Sequence, residues 1–443
     1  YTSDHIRSDT TAFNLLSLKN KGMTMKTENV QAHIDYTTRK GEFKSNTGAS
    51  FTEFPENQYV SYLDEFTWDM EKKEVAMSSN TTHAQPYSAP DSLYQMPATL
   101  MGAKFISVKK SQDSLSFITP MAVYDYKNNI IQAQKVKYIR VADALIFPNQ
   151  GNVIIEEKAA MRKLSKASVL ASIDTRYHNF HTGEISIQSR HSYTGGAYYD
   201  YISQTKSIQK IFFSEMKVDT TEHTIANGSI TEPDSFLMSP MFRYIGKVRL
   251  QSEERLLYFD GAAQIRIECD TNPEAWVYFK SLIDPFKILI PLGDQMRDIN
   301  RKNLYAGTVL SSEPRIHVYS TFMGQRNDYS DKFIVTAGGF LTYDSTDYSY
   351  KIAEKEKLQN NHIPGNMLSL RRDSCIQRGE GKLNMGVELG QMKLKAVGFT
   401  KHELPSDKLT MNISLGMNFH MLDVSMAQMA ADIDTFAKNI PVK

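Results

Sequence analysis

Residues 409–421 read LTMNISLGMNFHM, and this stretch shows the clearest alternation of apolar and polar residues in the chain. Every second residue from Leu409 to Met421 is apolar, whereas the intervening positions are polar or glycine. Because successive side chains of a β-strand point to opposite faces, a period of two predicts a half-buried strand. An apolar face of this length has to be covered by the protein's own core, which is the commoner case for methionine, or by a partner such as an acyl chain.

A shorter pattern recurs on the N-terminal side of this strand: an apolar residue, an aspartate, a polar turn and an alternating run. It begins at Ile34-Asp35, Trp68-Asp69, Tyr124-Asp125, Ile173-Asp174, Val218-Asp219 and Tyr343-Asp344. Strand, tight turn and strand repeated at this scale predict stacked short strands. The first five aspartates are spaced unevenly, by 34, 56, 49 and 45 residues. A calcium-binding row needs a tighter set of oxygen ligands, so each aspartate is interpreted as a turn residue that accepts backbone hydrogen bonds.

These patterns predict an all-β protein of stacked short antiparallel strands, similar to a β-solenoid or β-jellyroll, with a C-terminal amphipathic helix. The helix is expected in residues 422–440, where Leu422, Met426 and Met429 share one face. The segment 156–171 is predicted to form two strands joined at Ser165-Lys166, with a short helix as the alternative. Four regions are expected: N-terminal β repeats in 1–98, a central β-repeat body in 99–270, a proline-containing boundary or insertion in 271–305, and a C-terminal β region with the terminal helix in 306–443.

Bulk composition argues against several classes of function. The 443 residues include 51 Lys and Arg against 50 Asp and Glu, and a net charge of +1 gives no sign of the basic surface that nucleic acid requires. No stretch approaches the roughly 20 apolar residues of a membrane-spanning helix.

Cys269 and Cys375 lack metal or redox spacing, and either one disulfide or two free thiols fits them. Since the chain starts at Tyr1 without a targeting segment, we expect a removed leader or a fragment of a longer protein.

Two sets of side chains are candidates for binding. Tyr193, Tyr198, Tyr199 and Tyr201 are predicted to form either an aromatic platform for a sugar or peptide or an ordinary aromatic ladder. The candidate lipid-facing residues are Met411, Ile413, Leu415, Met417, Phe419 and Met421. His178, His181, His191 and His223 are interpreted as exposed turn residues rather than a zinc site. No catalytic motif occurs in a supporting context, and no catalytic, cofactor-binding or metal-binding residue is assigned.

The sequences around residues 34–45, 124–133 and 218–228 resemble the repeat of the OstA/LptA-type proteins of the Gram-negative envelope. Those proteins stack short antiparallel strands into an open-sided β-jellyroll that shields lipid acyl chains as they cross the periplasm. The alternating C-terminal strands are also similar to those of AsmA/TamB-like envelope proteins. The resemblance implies a β-jellyroll fold and a lipid-bridging role, and it carries no site residue over to this chain.

We therefore expect a non-enzymatic, exported protein of the periplasm or cell envelope with a structural or lipid-bridging and transport role. A surface module that binds carbohydrate or protein is the alternative. A glycan-processing enzyme with two facing carboxylates is the least supported class. The expected partners are lipid or envelope proteins, with no nucleic acid, no transmembrane helix and no cofactor, and the chain is expected to belong to a longer protein or assembly.

Overall fold

The computed structural model describes residues 4–17, 22–85, 97–269, 275–293, 295–313, 315, 317–386, 393–418 and 422–437, with the backbone alone at 418, 436 and 437. The chain divides into two compact units. The first comprises Tyr1–Ile230 and Lys247–Tyr258, and the second comprises Thr231–Gly246 and Phe259–Lys443. Antiparallel strands dominate both units, which confirms the predicted all-β class. The four-part division made from the sequence stays a prediction.

Most of the described residues lie in strands. The first twenty-one strands are β1 (His5–Leu16), β2 (Met23–Asp35), β3 (Lys40–Ser45), β4 (Ser50–Phe54), β5 (Tyr59–Leu63), β6 (Glu65–Asp69), β7 (Glu74–Ser78), β8 (Thr82–Ala84), β9 (Thr99–Met101), β10 (Ala103–Ser107), β11 (Ser116–Thr119), β12 (Met121–Asp125), β13 (Ile130–Gln134), β14 (Ile139–Val141), β15 (Ala144–Phe147), β16 (Val153–Ile155), β17 (Leu164–Leu170), β18 (Asn179–Ser189), β19 (Ser192–Ile202), β20 (Ile208–Val218) and β21 (Thr224–Ile230).

The later elements include two helices. The strands are β22 (Leu237–Ser239), β23 (Phe242–Gln251), β24 (Leu257–Ile265), β25 (Val277–Ile283), β26 (Ile290–Gly293), β27 (Tyr305–Leu310), β28 (Val318–Gly324), β29 (Lys332–Thr336), β30 (Gly339–Asp344), β31 (Ser349–Ala353), β32 (Met367–Arg371), β33 (Ile376–Leu383), β34 (Lys393–Glu403) and β35 (Lys408–Asn418). The helices are α1 (Lys355–Gln359) and α2 (Asp423–Ala437), and α2 confirms the predicted C-terminal helix.

Two antiparallel sheets make up most of the first unit. One runs in the order β1–β2–β3–β6–β7–β12–β13–β16. The other runs in the order β4–β5–β10–β11–β14–β15–β17–β18–β19–β20–β21. Strand β2 belongs to both, because residues 30–35 pair with β3 while residues 26 and 27 pair with β4. The predicted stacking of short antiparallel strands is therefore confirmed.

Aromatic side chains from the two sheets meet in the core of this unit. The ring of Phe54 on β4 lies 5.2 Å from that of Tyr124 on β12 and 6.0 Å from that of Phe105 on β10. On the first sheet, Phe43 and Phe66 stack with their ring centroids 4.6 Å apart. Each such pair contributes about 0.5–1.5 kcal/mol beyond the burial of area. The alternating sequence produces this core because every second residue of a strand points inward.

Three hairpins of the first sheet share one turn, which follows Asp35, Asp69 and Asp125. The next strand begins five positions after each aspartate. In each turn the Oδ1 atom accepts hydrogen bonds from the backbone N–H groups two and three residues later, at 2.8–3.2 Å. The last residue of each turn has a positive φ: 53° at Arg39, 62° at Lys73 and 57° at Asn129. The aspartate fixes the turn, as predicted.

The remaining aspartates divide into two cases. Asp219 and Asp344 also accept an N–H group two residues later, at 2.8 and 2.9 Å. The prediction is wrong for Asp174, because Ser172 Oγ accepts the N–H groups of Asp174 and Thr175 at 3.2 Å each. A serine hydroxyl can form the same local turn as a carboxylate, and here it lies two residues closer to the strand.

The predicted turn at Ser165-Lys166 is wrong as well. Strand β17 runs through both residues, so no strand pair is joined there, and the helical part of the segment is a single 3₁₀ turn at Glu157–Ala159. Lys166 has a φ of 54°, and the pairing of β17 with β18 shifts between Leu164 and Ala167. The turn-forming residues therefore produce a β-bulge, which adds one residue to a strand without ending it.

The second unit contains a seven-stranded antiparallel sheet in the order β26–β30–β31–β32–β33–β34–β35. A three-stranded sheet, β28–β27–β29, packs on β33 and β34. The hydroxyls of Thr308 on β27 and Thr400 on β34 lie 3.2 Å apart, and Gln377 Nε2 on β33 donates to the carbonyl of Gly307 at 3.0 Å. Strand β35 forms the edge of the larger sheet.

The two cysteines pair within the second unit. Cys269 and Cys375 form a disulfide, with their Cα atoms 5.7 Å apart. The bond joins residues 106 positions apart in the sequence. The sequence left open one disulfide or two free thiols, and the structure has the disulfide.

Candidate functional site

The predicted lipid-facing residues lie on β35, and the apolar face of this strand is exposed. Met411, Leu415 and Met417 expose 42, 59 and 63% of their surface, and Ile413 is half-buried. We refer to these four residues as the C-terminal stripe. The interpretation of its methionines as core residues is therefore wrong. Phe419 and Met421, the last two predicted residues, lie outside the part of the chain that the structure describes.

The neighbouring strand explains why the stripe is uncovered. Met411 lies opposite Thr400 of β34, and Leu415 lies opposite Ala396. Those two partners are only 1 and 5% exposed, because the three-stranded sheet covers this face of β34. The three-stranded sheet does not extend as far as β35. From Met411 to Met417 the stripe is about 20 Å long, at about 3.4 Å per residue.

Beyond Lys408 at its start, β35 lacks the features that usually protect a sheet edge. Residues 409–418 contain no charged residue and no proline, and the pairing with β34 has no bulge. Native proteins normally blunt an edge strand with such features, because unpaired backbone groups can pair with another chain. Within the described part of the chain, both the apolar face and the backbone edge of β35 are therefore available to a partner.

Helix α2 adds a second exposed apolar surface just beyond this strand. Met426, Met429 and Ile433 share one face of the helix and expose 47, 38 and 59% of their surface. The charged residues of the described helix are all acidic: Asp423, Asp432 and Asp434. An acidic polar face does not suit an anionic membrane surface, which attracts Lys and Arg.

The four tyrosines proposed as a platform point to two different faces of β19. Tyr193 and Tyr201 are buried at 0 and 2% exposure, and Tyr199 is half-buried among the rings of the interior. Tyr198 alone of the four is exposed, at 38%. The platform of four is therefore not formed, because side chains of odd and even number lie on opposite sides of a strand.

Tyr198 instead belongs to a smaller exposed cluster that the sequence did not reveal. Its ring lies 5.0 Å from that of Phe212 on β20 and stacks at 6.2 Å on that of His181 on β18. His181 Nε2 lies 3.0 Å from a carboxylate oxygen of Asp200. The signal that would have found this cluster is the strand register, since His181 and Phe212 are the cross-strand partners of Tyr198.

The histidines do not converge on a metal site. His178, His181 and His223 each have a separate partner: the carbonyl of Glu254, the carboxylate of Asp200 and the carboxylate of Glu253. No cluster of metal-binding side chains occurs among the described residues. The prediction of exposed turn histidines is wrong for His178, which is 1% exposed, and burial lowers the pKa of its imidazole. It is also wrong for His181, which lies within strand β18 and not in a turn.

His191 lies between two carboxylates on neighbouring turns. Its Nε2 is 2.6 Å from Asp113, and its Nδ1 is 2.9 Å from Glu222. The carboxylates of Asp113 and Glu222 raise the pKa of His191 above its ordinary value. All three side chains are partly exposed, so the arrangement is an ion-pair network at the surface of the first unit.

A cavity of about 720 Å³ on the first unit contains three carboxylates, one of them on Asp9 of β1. Glu42 on β3 and Glu65 on β6 belong to its lining. Both lie on the same face of two adjacent strands, and Glu65 has Lys44 as its cross-strand partner. A glycosidase needs two carboxylates that face each other across the bond to be cleaved. Glu42 and Glu65 stand side by side next to a lysine and do not provide that geometry.

Comparison with known proteins gives no further guide to the site. No protein-family model matches the chain, and no curated protein matches it. Within the described part of the chain, none of the helices has the length and apolar character needed to cross a membrane.

Proposed function

We propose that this protein is a non-enzymatic, exported protein of the cell envelope with a structural or lipid-bridging role, and that the C-terminal stripe contacts lipid acyl chains. One observation carries this proposal: the stripe is an unbroken apolar face at a sheet edge that the other described residues leave exposed. Full burial of one Met or Leu side chain is worth about 1.5–3 kcal/mol. About half of that gain is unrealised at Met411, Leu415 and Met417, so a partner that covers the stripe gains free energy at each position.

The dimensions and chemistry of the stripe suit an acyl chain. Its length of about 20 Å exceeds the depth of one bilayer leaflet, which is about 15 Å or half of the hydrocarbon core. Methionine is flexible and polarizable, so Met411 and Met417 can adapt to an irregular apolar ligand. No charge interrupts the face between them.

Native mass spectrometry of the protein purified from its own envelope, followed by lipid extraction, tests this proposal. The test variant is Met411→Gln with Met417→Gln, which makes the stripe polar without changing side-chain length. The matched control is Met101→Gln with Met121→Gln, because these two methionines are equally exposed, at 55 and 43%, in the first unit. We expect lipid bound to the wild type and to the control, with at least a tenfold loss in the test variant.

Two results would count against the lipid role. One is a wild-type protein that carries no lipid under gentle extraction. The other is equal retention by the test and control variants, which would place any bound lipid elsewhere on the molecule.

The exposed cluster of Tyr198, His181 and Phe212 supports a second candidate function, a surface module that binds carbohydrate. An aromatic ring beside polar groups suits a sugar, because one face of the sugar is apolar and its hydroxyls need hydrogen-bond partners. A glycan array with Tyr198→Ala tests this function. Tyr62→Ala is the matched control, since Tyr62 forms a similar exposed pair with Phe51 at 5.6 Å. Loss of glycan signal in both variants, or in neither, would exclude the cluster as the binding site.

A further inference from the structure

A cavity of about 520 Å³ in the second unit gathers positive charge that the proposed function does not use. Arg301 and Lys302 reach it from the turn that precedes β27, and Arg326 reaches it from the turn between β28 and β29. Asp328 is the single carboxylate among its described lining residues. Three cations against one carboxylate leave a net charge of +2 in a concave site, where the potential is focused.

Aromatic rings hold Arg326 in place beside the cavity. Its guanidinium carbon lies 4.7 Å from the ring centroid of Tyr305, 5.6 Å from that of Phe333 and 5.8 Å from that of Tyr329. Its two hydrogen bonds to protein oxygens are long, at 3.5 Å, so the rings fix the guanidinium more than its hydrogen bonds do. An Arg that is stacked in this way presents its planar N–H fork in one orientation, which suits a phosphate or carboxylate.

The turn that carries Arg301 and Lys302 is fixed as well. Asp298 Oδ1 accepts the backbone N–H groups of Asn300 and Lys302 at 2.8 and 2.7 Å. Arg301 takes the left-handed conformation that this turn needs, with a φ of 66°. The turn at Asp219 has the same pattern, with the N–H groups of Thr221 and His223 on Oδ1 and a φ of 64° at Glu222, and here such a turn presents two cations to the cavity.

The opposite turn is anchored by the buried carboxylate of Asp331. Burial alone would raise the pKa of this group, but hydrogen bonds donated by Ser312, Tyr319 and the backbone of Asp328 lower it to about 2. These donors lie 2.7–3.0 Å from the carboxylate oxygens. The turn that bears Arg326 and Tyr329 therefore has a rigid base.

We propose that this cavity binds a sugar that carries a phosphate group. Arg301, Lys302 and Arg326 pair with the phosphate, because charge-assisted hydrogen bonds from two converging turns fit its three terminal oxygens. Tyr329, which is 90% exposed, offers its ring to the apolar face of the sugar. A volume of about 520 Å³ lies within the range of about 300–1,000 Å³ that small-ligand sites occupy.

The ordinary alternative is a set of surface cations that water alone contacts. That alternative accounts for Lys302, but it does not account for Arg326, whose side chain is ordered by three rings at the wall of a cavity. It also does not explain why two turns from different parts of the unit bring their cations to the same place.

Isothermal titration calorimetry at low salt tests the proposal on the full chain. The probes are glucose 6-phosphate, inorganic phosphate and glucose. Arg301→Gln is the first test variant, because Arg301 is exposed on a turn, and Arg326→Gln is the second. Arg378→Gln is the control, since Arg378 is exposed on β33 of the same unit and does not line the cavity. The thermal unfolding midpoint of each variant shows whether it is folded.

We expect glucose 6-phosphate to bind with a dissociation constant below 1 mM and at least tenfold tighter than either inorganic phosphate or glucose. Arg301→Gln should weaken binding at least tenfold, while Arg378→Gln should leave it unchanged. The proposal is overturned if glucose 6-phosphate shows no saturable binding at 10 mM. It is also overturned if inorganic phosphate binds equally well, which would mean an adventitious ion only, or if the folded Arg301→Gln variant binds like the wild type.

Discussion

Removing the disulfide should destabilise the second unit strongly. Cys269 and Cys375 are 106 residues apart, so the bond closes a loop that includes strands β25 to β32. In the chain-entropy model, a loop of about 100 residues is worth about 4.7 kcal/mol at 25 °C, because the cross-link restricts the unfolded chain. Residual structure in the unfolded state reduces this value, and we expect a loss of about 3–4 kcal/mol in the free energy of unfolding.

The chain offers a selective probe for this measurement. It has two tryptophans, Trp68 in the first unit and Trp276 in the second. In a Trp68→Phe background, the fluorescence of Trp276 reports on the second unit during unfolding in urea. The test variant replaces both cysteines with alanine, and wild-type protein in a reducing agent should match it. An unfolding midpoint for the double variant equal to that of the oxidised wild type would refute the reasoning, provided that alkylation finds no free thiol in that wild type.

Three further predictions test the turns, the packing and the surface charges. Asp69→Ala should cost about 1 kcal/mol in the free energy of unfolding, because two N–H groups of the turn lose their acceptor. Asp174→Ala is the control and should cost much less, since Ser172 accepts the turn N–H groups there. Equal losses of stability in urea for the two variants would contradict the turn assignment. Tyr350→Phe should cost about 1–3 kcal/mol, since the phenolic oxygen accepts the backbone N–H of Arg266 at 3.0 Å, and an unchanged urea midpoint would refute that role. The pKa of His191 is raised in the folded state, so its contribution is present in full below about pH 6.5 and is lost as the pH rises through the folded pKa. The difference in thermal midpoint between wild type and His191→Gln should therefore shrink from about pH 6 to about pH 9, and a difference that is constant with pH would contradict this.

The sequence predicts the fold class well because two local rules determine it. Alternation sets which side chains face inward, and an aspartate followed by a polar turn sets where a strand ends. Both rules act over a few residues, as at Asp35 and Asp69, and so they can be read from one sequence. The rules fail where another side chain accepts the hydrogen bonds of the turn, as Ser172 does in place of Asp174.

The candidate sites are less predictable because they depend on contacts between distant parts of the chain. Proximity in sequence suggested a platform of four tyrosines, yet the alternation of a strand leaves only Tyr198 exposed among them. Its true neighbours, His181 and Phe212, come from adjacent strands. Arg301 and Arg326 likewise line one cavity only because two separate turns face it. The exposure of Met417 depends on where a second sheet ends, and no local pattern encodes that boundary.

Photocrosslinking at position 415 tests the central claim most directly. The photoreactive residue p-benzoyl-phenylalanine replaces Leu415 in the middle of the C-terminal stripe, and the control places it at the exposed Met121 of the first unit. After illumination of intact cells, mass spectrometry identifies what is attached. If the stripe contacts lipid, position 415 should carry an acyl-lipid adduct and position 121 should not. A protein without lipid adduct at position 415, or adducts of equal yield at both positions, would contradict the account.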